Sequence, residues 1–246
     1  MGSRRYDAVI CDIDGCLAPE SSTPIDAAGL ARIAEHNRGA QEVGDRPVVT
    51  LCSGRPEPFV EAICRTIGNR TLPAIAENGV WLFHPESNGW DMDPAITGEH
   101  LRAVQEAREW AERELGPLGV TQQAGKAASL SLYHPDATLL RGLEGRVRAE
   151  FERRGWPMRV SMTWFYINCD LTHVSKATAL DRLMKQTGLT RERLAGIGDT
   201  VGDAFIADRV SFFACPGNAS DAIKPRAHYI AKAREIAGVI EILERL

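Results

Sequence analysis

Short apolar runs alternate with segments of helical period at both ends of the chain. The apolar runs have the length of strands, and the segments between them repeat apolar residues every three to four positions. The runs that predict strands are YDAVICD, RPVVTLCSG, LPAIAENGVWLF, LAGIGD, VSFFACPG and HYIA. The segments that predict helices are DAAGLARIAEH, PEPFVEAICRTIG, KATALDRLMKQTG, GDAFIADR and EIAGVIEILERL. Because this alternation indicates a parallel sheet covered on both faces, we predict an α/β fold with a doubly wound, Rossmann-like core over residues 1–83 and 170–246.

Residues 84–169 follow a different pattern. Two helical segments, GEHLRAVQEAREWAEREL and TLLRGLEGRVRAEF, are each followed by residues of alternating polarity. The apolar residues predicted to share one sheet face are Ala128, Leu130 and Leu132 in KAASLSLYHP, and Met158, Val160, Met162 and Trp164 in MRVSMTWFYIN. The pattern predicts an inserted α+β cap domain, a small antiparallel sheet with helices on one face. The polar residues of the other face either meet the leaving group of a substrate or lie in solvent; they are Lys126, Ser129, Ser131, Arg159 and Thr163.

Length, charge and cysteine content narrow the class of protein. The chain has 246 residues, 44% of them hydrophobic, and a net charge of -4 with acids and bases interspersed, so the sequence predicts no nucleic-acid or membrane surface. No apolar run reaches the roughly 20 residues of a membrane span, so we expect a cytoplasmic protein with a small-molecule partner. The six cysteines include no C-x-x-C pair, so neither disulfides nor zinc are expected. An open face of the cap sheet makes an oligomer possible, but the sequence does not determine one.

Polar and charged residues follow the predicted core strands. In a doubly wound sheet ligands bind at the carboxyl ends of the strands, so these residues should meet in space. They are Asp12 and Asp14 after the first strand, Ser53, Gly54 and Arg55 after the second, Asp199 and Asp203 after LAGIG, and Asn218 after VSFFACPG, with Lys176 at the start of the helix that follows the cap.

Four carboxylates at one edge of a sheet require a cation. Two like charges about 4 Å apart cost about 4 kcal/mol at an effective dielectric constant near 20. A ligand set of oxygens without histidine or thiolate favours a hard ion, and a phosphate substrate favours magnesium (Mg²⁺). With Mg²⁺ and Lys176 present, the site would attract a phosphorylated metabolite.

The spacing of Asp12 and Asp14 suits two-step phosphoryl transfer. Residues i and i+2 of a strand point the same way, so both carboxylates can act on one substrate. One can attack phosphorus to form an aspartyl phosphate, and the other can protonate the leaving oxygen and later activate water. Ser53, the amides around Gly54, and Lys176 would hold the phosphoryl oxygens.

The order of these motifs resembles that of a known family. DIDGCL, LCSGRP, Lys176 and GIGDTVGD are similar to the four motifs of the haloacid dehalogenase superfamily, and AENGV and the tail PGNASDAIKPRAHYIAKAREIAGVIEIL resemble its Cof-type sugar-phosphatase branch. The resemblance covers the predicted core nearly end to end and matches the cap only in position and approximate pattern.

The resemblance implies a role for each motif residue. It implies Asp12 as nucleophile, Asp14 as general acid and base, Ser53 and Lys176 as phosphate ligands, and a metal held by these two aspartates with Asp199 and Asp203. The branch usually has Asn and Gly where this chain has Gly202 and Ala177, respectively. The missing polar side chain at position 202 leaves open whether Asp203 binds metal directly or through water.

Several residues have a second interpretation. Asp91 and Asp93 repeat the Asp-x-Asp spacing, but we predict a loop there because no strand precedes them. Arg55 and Asn218 are further candidate phosphate-binding residues, but Arg55 could pair with an acid instead of the substrate, and Asn218 could be a turn former. Lys176 could be a surface lysine at a helix start.

The sequence therefore predicts a Mg²⁺-dependent phosphatase of a small metabolite such as a sugar phosphate or phosphoglycolate. Two other classes remain open, a phosphomutase using the same site and a phospholigand-binding protein without turnover.

Overall fold

A computed structural model describes residues 4–20, 23–163 and 165–246. Its strands are β1 (Ala8–Cys11), β2 (Val48–Leu51), β3 (Ala74–Ala76), β4 (Trp81–His84), β5 (Gly89–Met92), β6 (Thr121–Gln122), β7 (Ser129–Tyr133), β8 (Met158–Met162), β9 (Tyr166–Leu171), β10 (Leu194–Ile197), β11 (Phe212–Cys215) and β12 (Tyr229–Ile230). Its α-helices are α1 (Ala27–Glu42), α2 (Glu57–Thr66), α3 (Gly98–Leu115), α4 (Ala137–Arg154), α5 (Lys176–Thr187), α6 (Ala204–Ala207) and α7 (Glu235–Leu243).

The core sheet is parallel. Its order is β12-β11-β10-β1-β2, with β1 paired to β10 on one side and to β2 on the other. A parallel bridge between Cys52 and Ile75 places β3 beside β2. Strands β1, β2 and β10 are buried throughout, as expected for near-continuous apolar strands covered on both faces. The predicted parallel core is confirmed.

Helices cover both faces of this sheet. Residues of α1, α2 and α7 form one apolar cluster with one side of the strands, and residues of α5 and α6 form the other. The predicted helix over GDAFIADR is shorter than its apolar spacing suggested, because a 3₁₀ turn at Val201–Asp203 precedes the four-residue α6. The doubly wound prediction is confirmed.

The chain forms two compact units, one of Met1–Asp91 with Lys176–Leu246 and one of Met92–Ser175. We placed the boundaries at 83/84 and 169/170, several residues earlier. The reason is that β4 and β5 continue the sheet of β3, so this hairpin belongs to the core unit. The loop prediction for Asp91 was wrong: Asp91 lies in β5, where Trp90 packs on Phe83 with ring centroids 4.7 Å apart.

The cap unit is built around an antiparallel sheet of order β6-β7-β9-β8. The single run that we read in MRVSMTWFYIN is two strands, because β8 pairs with β9 in the register Met162↔Ile167. The predicted face residue Trp164 lies outside the described residues. The rings of Trp110, Phe151 and Trp156 pack edge to face against one another.

In the described part of the chain, no helix is both long enough and apolar enough to span a membrane. All six cysteines are buried free thiols.

Candidate active site

The first site residue extends the central strand. The Asp12 amide donates to the Ile197 carbonyl at 3.0 Å, which continues the β1–β10 pairing beyond the end of β1. Its carboxylate accepts a hydrogen bond from the Ile13 amide at 2.8 Å. Asp12 is only 6% exposed, so its carboxylate is fixed in a largely dry position at the sheet edge.

The turn after β10 is organised by Asp203, which is fully buried. One of its carboxylate oxygens accepts hydrogen bonds from the amides of Asp199 (3.0 Å) and Thr200 (3.1 Å). A side chain at Gly198 would collide with it, since an added Cβ would lie 2.3 Å from the Asp203 Cβ. The turn therefore brings Asp199 and Asp203 to the carboxyl end of β10, next to β1.

Lys176 connects these two strand ends. Its Nζ lies 3.0 Å from Asp12 Oδ2 and 2.7 Å from Asp203 Oδ1. Lys176 is the first residue of α5 and is 8% exposed, so the surface-lysine interpretation is not what the structure shows. Burial opposes its charge, but the carboxylates of Asp12 and Asp203 outweigh burial and raise the pKa of Lys176 well above its usual value.

Three carboxylates converge at this point. One oxygen each of Asp12, Asp199 and Asp203 lie within 4.8 Å of one another. Burial, and then the charge of Asp203, raises the pKa of Asp12 well above its usual value and that of Asp199 to about 7. Burial acts in the same direction on Asp203, but the charge and hydrogen bond of Lys176 prevail and lower its pKa. When all three carboxylates are ionised, the ammonium group of Lys176 balances only one of their charges, so the cluster carries excess negative charge.

The donor set suits a hard divalent cation. Asp199 Oδ1 is buried and has no hydrogen-bond partner within the described chain. An orphaned carboxylate oxygen is costly in a dry site unless an ion or a proton satisfies it. All three groups offer oxygen, and neither histidine nor thiolate is among them, so the cluster fits Mg²⁺.

Asp14 is engaged elsewhere. Its carboxylate accepts hydrogen bonds from Arg55 Nε at 3.0 and 2.9 Å and from the neighbouring terminal nitrogen at 2.5 Å. Among the described residues it is not part of the three-carboxylate group. The second interpretation of Arg55, pairing with an acid, is the arrangement observed. Its guanidinium also lies over the Phe59 ring, 5.0 Å from the centroid.

The predicted phosphate loop lies where β2 ends. Ser53 is fully buried, its amide donates to the Ile75 carbonyl at 3.0 Å, and its hydroxyl accepts from the Arg55 amide at 3.2 Å. Gly54 packs against the Asn78 amide so closely that a Cβ would lie 2.9 Å from Asn78 Oδ1. The contacts with Ile75 of β3 and with Asn78 therefore determine the conformation of the loop that follows β2.

Asn218 bridges two backbone segments. Its Nδ2 donates to the Gly15 carbonyl at 2.8 Å, and its Oδ1 accepts from the Glu235 amide at 2.6 Å. Both ends of the side-chain amide thus form hydrogen bonds with the main chain, which agrees with a structural role for Asn218 rather than a contact with substrate. This geometry does not support the phosphate contact that we predicted for Asn218.

Gly15 is a site residue that was not predicted. Its φ is +69°, and a Cβ there would lie 2.0 Å from Asp199 Oδ2. Only glycine lets the backbone come this close to the carboxylate. A glycine directly after Asp-x-Asp was the available signal.

The polar residues predicted on the second face of the cap sheet differ in their burial. Ser129 and Ser131 are each 1% exposed, and Ser131 donates to Asn168 Oδ1 at 2.6 Å. Arg159 donates to the carbonyls of Leu171 and Val174. Lys126 and Thr163, which we predicted on the sheet face, lie outside the strands: Lys126 precedes β7 and is buried, and Thr163 follows β8 and is exposed.

A family model for haloacid dehalogenase-like hydrolases matches residues 102–243, more than half of the chain. The chain belongs to this family. The resemblance seen in the four motifs is thereby confirmed, and the protein is a haloacid dehalogenase-like hydrolase.

Curated relatives match over almost their whole length. Phosphoglycolate phosphatase 1 of Saccharolobus solfataricus is 34% identical over 249 residues, which covers 97% of this chain and 94% of that protein. Phosphoglycolate phosphatase of Methanothrix thermoacetophila is 29% identical over 242 residues, which covers 98% of this chain and 96% of that protein.

A solved structure of a haloacid dehalogenase-like hydrolase from Bacteroides thetaiotaomicron has the same fold. It superposes with a TM-score of 0.71 at 20% identity, covering 98% of this chain and 99% of that one. A Thermoplasma acidophilum protein superposes with a TM-score of 0.72 at 21% identity, with the same coverage.

Proposed function

We propose that this haloacid dehalogenase-like hydrolase is a Mg²⁺-dependent phosphatase of small phosphorylated metabolites. The observation that supports it most is the group of three carboxylates, two of them paired with Lys176, in which a buried Asp199 oxygen lacks a hydrogen-bond partner among the described residues. Such a site is unfavourable by itself and becomes favourable with a cation and a phosphate group.

Asp12 is the proposed nucleophile. Its carboxylate attacks phosphorus, the P–O bond to the leaving group breaks, and an aspartyl phosphate forms, which water then hydrolyses. Lys176, 3.0 Å away, orients Asp12 and opposes the rise in its pKa that burial and then Asp203 cause, so it favours the charged, nucleophilic form. Because both groups are fixed by packing, little reorganisation is needed during the reaction.

Asp14 is the proposed general acid and base. It lies two residues from Asp12, in the turn that follows β1. In the structure the guanidinium group of Arg55 binds the carboxylate of Asp14. For Asp14 to donate a proton to the leaving group, Arg55 must turn from Asp14 towards the substrate. Arg55 follows Ser53 and Gly54 directly, so it is placed to bind phosphoryl oxygens together with that loop and Lys176.

The proposed metal ligands are Asp12 and Asp199, with Asp203 and Asp14 contributing directly or through water. When bound, Mg²⁺ neutralises the carboxylates and stabilises charge on the phosphoryl oxygens. Asp203 holds the Asp199 turn and Lys176 in place through the hydrogen bonds described above.

The proposed substrate is phosphoglycolate or a phosphomonoester of similar size, because the curated relatives named above are phosphoglycolate phosphatases. The test is phosphate release from phosphoglycolate, from sugar phosphates and from an aryl phosphate with purified protein. We expect release with Mg²⁺, loss of release with EDTA, and recovery when excess Mg²⁺ is restored. An isomer in place of free phosphate would indicate a mutase, and tight ligand binding without release would indicate a binding protein; either result would refute the proposal.

Magnesium affinity should rise with pH up to about 7. The pKa of Asp199 is raised to about 7, so below that pH a proton competes with the ion. We expect the association constant, measured by calorimetry, to increase up to about tenfold per pH unit between 5.5 and 7 as Asp199 loses its proton. Asp199→Asn should bind more weakly and show a smaller dependence on pH over this range. Equal affinity of the unmodified protein at pH 5.5 and 7.5 would rule out Asp199 as the competing site.

A further inference from the structure

Two consecutive residues beside the phosphate loop have left-handed backbones. Glu77 has φ 51° and Asn78 has φ 52°, in the 3₁₀ turn between β3 and β4. Non-glycine residues rarely adopt this conformation, and where they do, the surrounding structure holds them there. Glu77 is fully buried, which shows that the turn is packed into the core unit rather than placed in solvent.

This left-handed turn binds the carbonyl groups of the phosphate loop. The Glu77 amide donates to the Arg55 carbonyl at 2.8 Å, and the Asn78 amide donates to the Ser53 carbonyl at 3.0 Å. A carbonyl oxygen facing a phosphate dianion would repel it. With both oxygens bonded to the turn, the negative ends of these two peptide dipoles point away from a bound phosphate.

The Asn78 side chain supports the middle of the same loop. A Cβ on Gly54 would lie 2.9 Å from Asn78 Oδ1 and 3.2 Å from its Nδ2, so the amide group packs directly against the glycine. The turn is also tied to α5, because Arg182 donates to the Gly79 carbonyl at 2.7 Å. Helix α5 begins with Lys176. The Arg182 hydrogen bond therefore connects the turn that contacts the phosphate loop to the helix that carries the lysine.

We propose that Asn78 is a positioning residue for phosphate binding, a role that rests on the proposed function. Its backbone directs the Ser53 carbonyl away from the substrate, and its amide group sets the position of Gly54. Asparagine meets both requirements, since it tolerates the left-handed region and has a short uncharged amide.

The first test is Asn78→Asp, which keeps the shape and the tolerance for a left-handed backbone but places a carboxylate against Gly54. We expect the dissociation constant of inorganic phosphate, measured by calorimetry with Mg²⁺, to rise about tenfold. The KM for an aryl phosphate should rise similarly, with kcat within about threefold and an unchanged melting temperature. Asn88→Asp is the matched control, because Asn88 also has φ 52° but is exposed in the β4–β5 hairpin. It should leave both constants unchanged.

The second test examines the contact between Asn78 and Gly54 without adding charge. Gly54→Ala should weaken phosphate binding, because its Cβ would collide with the Asn78 amide. Asn78→Gly retains the left-handed backbone and removes the amide. In the double variant the collision is absent, so phosphate affinity should recover at least about threefold relative to Gly54→Ala alone.

Equal phosphate affinity of Asn78→Asp and the unmodified protein would overturn the role of Asn78. So would an equal loss from Gly54→Ala with and without the Asn78 amide. The proposed function fails on a different observation: unmodified protein that binds phosphate and Mg²⁺ but releases no phosphate from any phosphomonoester.

Discussion

Asp12→Asn should lower kcat for phosphate release by at least about 10³-fold, because an amide cannot form the aspartyl phosphate. The substitution keeps the size of the side chain and the hydrogen bond that its oxygen accepts from Ile13. It removes the nucleophilic charge and one partner of Lys176, which retains Asp203 at 2.7 Å. The loss should therefore appear in kcat, while inorganic phosphate still binds.

The fold of this variant should persist. The pKa of Asp12 is raised by burial and by Asp203, so its charged form is disfavoured in the folded protein, and a neutral amide removes that cost. We expect the melting temperature without Mg²⁺ to stay within a few degrees of the unmodified value.

Asp91→Asn is a suitable control for Asp12→Asn, since Asp91 belongs to the other Asp-x-Asp pair and is exposed in β5. It should release phosphate at the unmodified rate. Phosphate release by Asp12→Asn within tenfold of the unmodified protein would exclude Asp12 as the nucleophile.

The sequence predicted the parts of the site that topology determines. Asp12 and Asp199 follow adjacent parallel strands, so their meeting at one sheet edge required only the correct strand order. Lys176 was predicted in the same way, from its position at the start of a helix after the cap. For these residues the apolar pattern and the strand ends were sufficient.

The choice of side-chain partners could not be predicted in this way. The Asp14–Arg55 pair and the two backbone contacts of Asn218 depend on rotamers and loop positions that are set by tertiary packing. The same limit applied to Gly15, whose close approach to Asp199 depends on where two separate loops meet. Strand β5 was missed because it has only four residues, in which Gly89 and Asp91 alternate with Trp90 and Met92.

Lys176→Met should destabilise the protein strongly and also abolish phosphate binding. Lys176 and its partners Asp12 and Asp203 are each less than 10% exposed, so losing the lysine leaves two buried carboxylates without their cation. Removal of one partner of a buried ion pair typically costs about 3–5 kcal/mol of unfolding free energy. Urea denaturation in EDTA measures this loss, and Lys185→Met, an exposed lysine on the same helix, should change stability by less than about 0.5 kcal/mol.

The deficit of Lys176→Met should depend on pH in a definite direction. Without the lysine, the pKa of Asp12, already raised by burial and by Asp203, rises further in the folded state above its unfolded value. A group with a raised folded pKa contributes stability at low pH and loses it as pH increases through that pKa. The difference from the unmodified protein should therefore be smaller at pH 5 than at pH 8, and Mg²⁺ should restore part of it at pH 8. A deficit that is the same at both pH values, or one no larger than that of Lys185→Met, would mean that Lys176 does not neutralise the buried carboxylates.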